Sequence, residues 1–452
     1  MTMKLTEMAA YLGAKCQDQN LDFQTISIDT RTMPADSLFI AIIGKNFDGH
    51  DFVMEAQQKG AVAAIVNRDF NNQSLPNTFP IISVQDTRWA LGQLAKFHRE
   101  KFQVPVVAVT GSCGKTTTKT MISQILSQCG HVLSTEGSLN NDIGVPLTLL
   151  RFAEQHQYAV IELGANHPGE IASLTELAQP TVAVITNAGL CHLEGFLDIQ
   201  GVAKAKGEIY QGLAQDGVGV INSDDEYANY WKGLVGKRQQ IFFGNAADAE
   251  ISVHDTRFAE DGCPSFVLKT PQGEIDVCLK VMGEHNISNA MAAAAAAIAV
   301  GAPLTAIKQG LELTMPGAKR LVKRNGQNGA SIIDDTYNAN PSSLHAVLKV
   351  LARSIGEKIL VLGDMVELGN NALEYHALVG KEARLMGIEQ LYACGRLSQA
   401  TVAAFGERGH FFQTQAELVD RLRTILHPGM TVLVKGSRAA RMENVVNALV
   451  QE

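Results

Sequence analysis

Residues 106–117 read Val-Val-Ala-Val-Thr-Gly-Ser-Cys-Gly-Lys-Thr-Thr. An apolar run with no polar alternation predicts a strand buried on both faces of a parallel sheet. The glycines that follow let backbone N–H groups converge on phosphate oxygens. A helix predicted to begin near Thr116 adds its dipole to that attraction. In such a turn Lys115 reaches the β- and γ-phosphates and the Thr116 hydroxyl holds Mg²⁺. The commonest form of this loop carries a further glycine where Val109 stands, so the cradle is the shorter Thr-Gly-x-x-Gly-Lys-Thr form. Its members are Gly111, Ser112, Cys113, Gly114, Lys115, Thr116 and Thr117. Cys113 reads as a tolerated small residue rather than a redox switch.

Working outward, similar apolar runs recur at residues 158–163, 181–186 and 217–221, separated by helix-length segments. That alternation predicts βαβ units and a doubly wound parallel sheet. Residues 251–281 shift to short alternating stretches with turn residues, predicting an antiparallel insertion, and the Ala-rich stretch 289–300 predicts a closely packed helix. A third alternating region starts near residue 315, with strands expected at 331–334, 358–362, 390–393 and 431–434. Before the phosphate loop, a helical face at Leu5, Met8, Ala9 and Leu12 and apolar runs at 37–43, 61–66 and 80–84 predict a small α/β unit. The expected division is therefore 1–85, 86–314 and 315–452, all α/β.

A chain of 452 residues fits about three domains on a soft prior of ~150 residues each. Lys and Arg total 38 against 46 Asp and Glu, a net charge of −8, which argues against a broad basic face for nucleic acid or anionic membrane. Apolar residues make up 46% and charged residues 19%, a globular rather than a disordered balance. The seven cysteines, Cys16 among them, are scattered without a CxxC pair, so neither a zinc site nor a disulfide framework is expected. Residues 1–15 lack the long apolar core of a signal peptide. The longest apolar run, residues 290–300, has 11 residues where a bilayer needs roughly 20. The expectation is a soluble, reduced, cytoplasmic and monomeric protein.

A phosphate loop does not define a reaction. The base-reading Asn-Lys-x-Asp of GTPases is missing, and the next buried strand ends in Glu162 rather than Asp, followed by Leu-Gly-Ala-Asn-His-Pro-Gly-Glu at 163–170. Together with Gly-Glu-His-Asn-Ile-Ser-Asn-Ala at 283–290, Asp-Asp-Thr-Tyr-Asn-Ala-Asn-Pro-Ser-Ser at 334–343 and Lys-Gly-Ser-Arg at 435–438, the sequence resembles the Mur ligase family. These are ATP-dependent amino-acid-adding enzymes of peptidoglycan synthesis, and the match runs through all three expected domains in order. The segments at 135–148, 334–343 and 362–369 resemble the branch that adds D-alanyl-D-alanine to UDP-N-acetylmuramoyl-tripeptide.

The resemblance implies a two-step ligation: ATP phosphorylates the tripeptide carboxylate, and the dipeptide amine displaces phosphate from the acyl phosphate. It implies two Mg²⁺ sites. Thr116 and Glu162 would serve the first, and His192 and a carbamylated Lys206 the second. Read bare, His192 is a structural loop histidine and Lys204 and Lys206 are a solvated helix edge. The family uses Asn286 and Asn289 for the adenine ring, although Asn286 alone reads as a helix cap. Asp335 would bind the ribose. A third-domain arginine would reach the ATP phosphates, and either Lys319 or Arg320 could serve. Asp29, Thr30 and Arg31, the stretch 39–52, and Thr135, Asn140 and Asn141 would hold the UDP-muramoyl end. D-Ala-D-Ala would lie near Asn338 and Asn340, in a segment that otherwise reads as a turn. Two rivals remain: a folylpolyglutamate synthase, which shares loop and domain plan, and a nucleotide-gated binding protein without ligation.

Overall fold

In the first ~100 residues, successive side chains of each inner strand are buried on opposite faces. Leu38, Ile40, Ala63 and Ile65 enter one core with Leu91 and Leu94, while Phe39, Ala41, Ala64 and Val66 enter another with Val53 and Ala56. Two-sided burial is what parallel strands require, and the sheet runs Thr25–Ser27, Ser37–Ile40, Ala63–Asn67, Ile81–Val84, all parallel. The computed structural model describes residues 3–15, 21–71, 75–76 and 78–451; Met1, Thr2 and Cys16 lie outside the described residues.

The chain divides into two compact units. The first takes residues up to Val104, then Leu133–Gln157 and Glu176–Gln179; the second takes the remainder. Helix Thr87–Arg99, capped by Asp86 through the Arg88 and Trp89 N–H groups, therefore packs with the first unit. Its Ala90, Leu91 and Leu94 are fully buried in that core, with Ile143 and Leu147 packed against it.

The second unit carries two large sheets. In the first of them the order is Gln239–Phe243, Val218–Asn222, Val182–Ile185, Val106–Thr110, Tyr158–Glu162. Strand Val106–Thr110 pairs in parallel with Tyr158–Glu162 on one side and Val182–Ile185 on the other. The chain thus departs in opposite directions around its carboxyl end, the place where open α/β sheets bind ligands. Helix Lys115–Leu126 follows directly, and helix Leu304–Leu313 lies against it so closely that a Cβ on Gly310 would stand 2.3 Å from the Ile125 Cα. The alanines of helix His285–Ala299 pack into the same core. The expected antiparallel insertion is a three-stranded sheet, Ser252–Phe258, Pro264–Thr270 and Gly273–Cys278.

In the C-terminal sheet the order is Val322–Asn325, Ser331–Asp335, Met430–Lys435, Glu357–Gly363, Gln390–Cys394, Gly409–Phe412. All pairs are parallel except the first, which is antiparallel. Among the strands that escaped the sequence reading are Gln239–Phe243, Val322–Asn325 and Gly409–Phe412. Each is an outer strand, half-buried or exposed along much of its length, so none carries a continuous apolar run. The six described cysteines are free. Among the described residues no helix is long and apolar enough to cross a membrane.

Candidate active site

The phosphate loop is moulded by its neighbours. Gly111 and Gly114 take positive φ of 149° and 82°, and a Cβ would stand 1.9 Å from the Thr186 Oγ1 at the first and 2.2 Å from the Asn289 Oδ1 at the second. Both positions exclude any other residue. The turn after strand Val182–Ile185 clasps the loop from the side. Cys113 N–H donates to Asn187 Oδ1 at 2.9 Å, Asn187 Nδ2 returns to the Cys113 carbonyl at 3.1 Å, and Ser112 Oγ lies 2.8 Å from the Gly189 N–H it accepts. Asn187 carried no sequence signal beyond adjoining the segment of His192. The Lys115 ammonium folds over the loop, donating to the Gly111 carbonyl at 2.7 Å and the Ser112 carbonyl at 3.4 Å.

Strand register sets the next group. Val109 pairs with Glu162, so that carboxylate, 2% exposed, stands at the end of the strand beside the loop. From the C-terminal region Arg320 Nη2 donates to Thr116 Oγ1 at 3.1 Å, its guanidinium 3.8 Å from the centre of the Tyr337 ring. Lys319 instead pairs with Glu443 at 2.9 Å. Between the two basic residues, Arg320 is the one at the phosphate loop, and Tyr337 is its stacking shelf.

Asn286 and Asn289 are buried within helix His285–Ala299, whose N-cap is Glu284. The capping alternative for Asn286 is not what is found: its Nδ2 donates to the Met282 carbonyl at 2.7 Å. Asn289 Nδ2 donates to Asn286 Oδ1 at 2.8 Å, and its own Oδ1 accepts from Thr118 at 3.3 Å. The pair therefore buttresses the loop and its helix.

On helix Ile199–Gln211, Lys204 is exposed and Lys206 is fully buried. The Lys206 Nζ has no hydrogen-bond partner and lies 5.5 Å from the centre of the Phe196 ring. Burial, with the nearby Lys115 charge, pushes its amine down to about 8. Two residues on, Glu208 accepts from the Gly169 and Ala172 N–H groups, tying this helix to residues 169–172. His192 Nδ1 is 2.5 Å from Glu367 Oε2, across 175 residues of sequence.

Asp335 is committed to protein partners: Lys435 Nζ at 2.5 Å and the Leu321 N–H at 3.1 Å. Asn338 turns its Oδ1 to the Ala339 N–H. Asn340 caps helix Pro341–Arg353 in a reciprocal box with Ser343, and Ser342 Oγ accepts from Leu190 N–H at 3.0 Å. Asn338 thus serves a turn and Asn340 a helix start, which adjoins the clasp around the loop.

The first unit gathers the remaining residues. Asp29 accepts from Arg31 N–H, Nε and Nη2, and these bonds, the side-chain ones foremost, hold its carboxyl at about 2. Thr30 is buried, its carbonyl bound by Lys59 at 3.0 Å. Arg88 grips the Ile43 carbonyl and the Asp142 carboxylate, so the 43–48 loop and the 140–144 turn are held together. Asn141 Oδ1 accepts from Gly144 N–H. Thr135 is buried, and the Asn140 N–H donates to the Ser138 carbonyl in the same turn.

Comparison with known proteins matches residues 109–297 to the Mur ligase middle domain, 319–438 to the Mur ligase glutamate ligase domain and 22–99 to the Mur ligase family catalytic domain. The UDP-N-acetylmuramoyl-tripeptide–D-alanyl-D-alanine ligase of Escherichia coli (strain K12) is 42% identical over 452 residues, 99% of this chain and 98% of that protein. A crystal structure of MurF from Acinetobacter baumannii superposes with a TM-score of 0.92 at 35% identity, covering 99% and 98% of the two chains. The MurF ligase of Thermotoga maritima in complex with ADP gives 0.84 at 28% identity over 94% and 96%. With all three regions matched in order and a relative similar from end to end, the chain belongs to the Mur ligase family.

Proposed function

We propose that this chain is an ATP-dependent ligase that joins D-alanyl-D-alanine to the terminal carboxylate of UDP-N-acetylmuramoyl-tripeptide, forming ADP and phosphate. The observation that carries the reading is the phosphate loop with Lys115 and Glu162 at the sheet's switch point, met there by Arg320. End-to-end similarity to proteins of that name selects the dipeptide-adding step over folylpolyglutamate synthesis, and the intact cradle speaks against a binding protein without turnover.

Phosphoryl transfer between two anions needs charge neutralisation and in-line placement. Lys115 trades the Gly111 and Ser112 carbonyls for β- and γ-phosphate oxygens, and Arg320, braced on Tyr337, brings a second fixed cation. The tripeptide carboxylate attacks the γ-phosphorus and ADP leaves. The dipeptide amine then attacks the acyl phosphate carbonyl and expels phosphate.

Thr116 and Glu162 offer the hard oxygens Mg²⁺ prefers. Among the described residues no three His, Cys, Asp or Glu side chains form a metal cage, which suits an ion completed by substrate phosphates. Bound Mg²⁺ would supply neutralisation of the phosphate oxygens. For a second ion we assign His192 and Lys206. The unpartnered, buried Lys206 Nζ, with its amine near 8, fits carbamylation: the neutral amine adds to CO₂, loses a proton and becomes a carboxylate donor.

Asn286 and Asn289 would border the adenine and Asp335 the ribose. Asn338 and Asn340 would line the dipeptide site, and Asp29, Thr30, Arg31, Thr135, Asn140 and Asn141 would hold the UDP-sugar. We assign the protein to the bacterial cytoplasm as a monomer, with residues 1–85, 86–314 and 315–452 serving sugar nucleotide, ATP and dipeptide.

Phosphate release from ATP should require both UDP-N-acetylmuramoyl-tripeptide and D-Ala-D-Ala. Turnover indifferent to either substrate would sink the reading. Arg320→Ala should lower kcat/KM for ATP by about 10²–10³-fold, the scale of losing one charge-stabilising donor. Lys319→Ala should change it less than about threefold, since exposed ion pairs contribute ~0–1 kcal/mol. Equal effects at the two positions would contradict the assignment.

A further inference from the structure

His192 and Glu367 are both non-glycine residues in the left-handed region, with φ of 50° and 63°. Such backbones are strained and persist only where the surroundings enforce them. The two meet each other. The Glu367 carboxylate reaches His192 Nδ1 at 2.5 Å, and the Glu194 N–H donates to the Glu367 carbonyl at 3.3 Å. The loop presenting Glu367 is fixed from behind. Asp364 accepts from Ser398 N–H and Oγ, His376 Nε2 accepts from Met365 N–H, and Met365 and Leu368 are buried in the C-terminal core. As a stabilising device the pair makes little sense, because partly exposed ion pairs contribute less than two strained backbones cost. As an orienting device it is well formed. An ionised carboxylate only accepts, so Nδ1 carries the hydrogen, and Nε2 is left as the one lone pair the ring can offer.

We propose that Glu367 is a positioning residue for His192. It fixes the tautomer and ring plane that turn Nε2 toward a divalent cation. Because it arrives from the C-terminal domain, the second metal position is completed only when that domain is docked on the central one. The proposal rests on His192 being a ligand of the second ion.

The test uses the full-length protein with ADP present and Mn²⁺ as the probe, free ion being counted by electron paramagnetic resonance. Glu367→Ala should weaken the second, not the first, Mn²⁺ equivalent by about 10–100-fold, the usual effect of removing a carboxylate behind a ligating histidine. The Mg²⁺ needed for half-maximal ligation should rise in parallel while KM for ATP stays put. Glu367→Gln, which still accepts through its amide oxygen, should recover part of the loss; it also carries the test if the alanine variant melts early. Adding Glu367→Ala to His192→Ala should cost nothing further. Wild-type binding of the second equivalent in a folded Glu367 variant, or additive losses in the double variant, would overturn the proposal. A His192→Ala variant that keeps the second equivalent would remove the metal reading of His192 itself, and the proposal with it.

Discussion

Lys115→Ala should lower kcat/KM for ligation by about 10³-fold or more, with melting temperature nearly unchanged. The size follows from what the amine does in each state. In the structure its hydrogen bonds go to the Gly111 and Ser112 carbonyls, half-buried loop contacts whose loss costs about 1 kcal/mol each. Opposite the triphosphate the same charge faces developing negative charge in a site walled by buried strands, where one ionic donor is worth about 4 kcal/mol of transition-state stabilisation. Steady-state phosphate release and a thermal melt, run on the same preparation, separate the two terms. A well-folded variant retaining a tenth of wild-type turnover would refute the phosphate-loop assignment.

Lys206→Met should move activity and stability in opposite directions. The wild-type ammonium is fully buried without a hydrogen-bond partner, and its amine sits near 8 instead of 10.5. That gap corresponds to about 3 kcal/mol at pH below 8. The sign is fixed by proton counting: between about pH 8 and 10.5 the unfolded chain holds more protons, so the lysine's penalty shrinks as pH rises. In CO₂-free buffer Met, of similar length and apolar, should therefore melt higher at pH 7, and the advantage should fade toward pH 10. Ligation should fall about 10²–10³-fold, because no carboxylate can form at that position. A variant that is both active and no more stable would remove Lys206 from the site.

Much of the architecture was legible in chemistry alone. Runs such as 106–109 and 359–362 are apolar without alternation because both faces are buried, and they marked the inner strands. Edge strands such as Val322–Asn325 were silent, since an outer strand needs only one covered face. At the site, residue type and spacing marked Lys115 and Thr116 in one strand–turn–helix, and the family resemblance marked Glu162 at the end of the neighbouring strand. Burial was not legible: nothing in Lys-Ala-Lys distinguishes exposed Lys204 from buried Lys206 until the helix is seated. Partnerships across long separations were hidden as well. Glu367 with His192, Tyr337 with Arg320 and Lys435 with Asp335 are products of tertiary packing. Of Lys319 and Arg320, which one lies at the phosphate loop was visible only from where each side chain lands.

The first compact unit is assembled from three separated stretches, the last ending at Gln179. A ribosome emits the chain in order, so the apolar face of helix Thr87–Arg99 leaves the exit tunnel well before Ile143 and Leu147, which cover part of it. During that interval the nascent chain displays Leu91 and Leu94 incompletely covered, a natural ligand for chaperones that hold emerging apolar segments. The same interleaving means that no single cut releases this unit as an autonomous module. A fragment ending at Val104 would keep its parallel sheet yet lack the packing that closes it, and would be expected to aggregate where the whole chain does not.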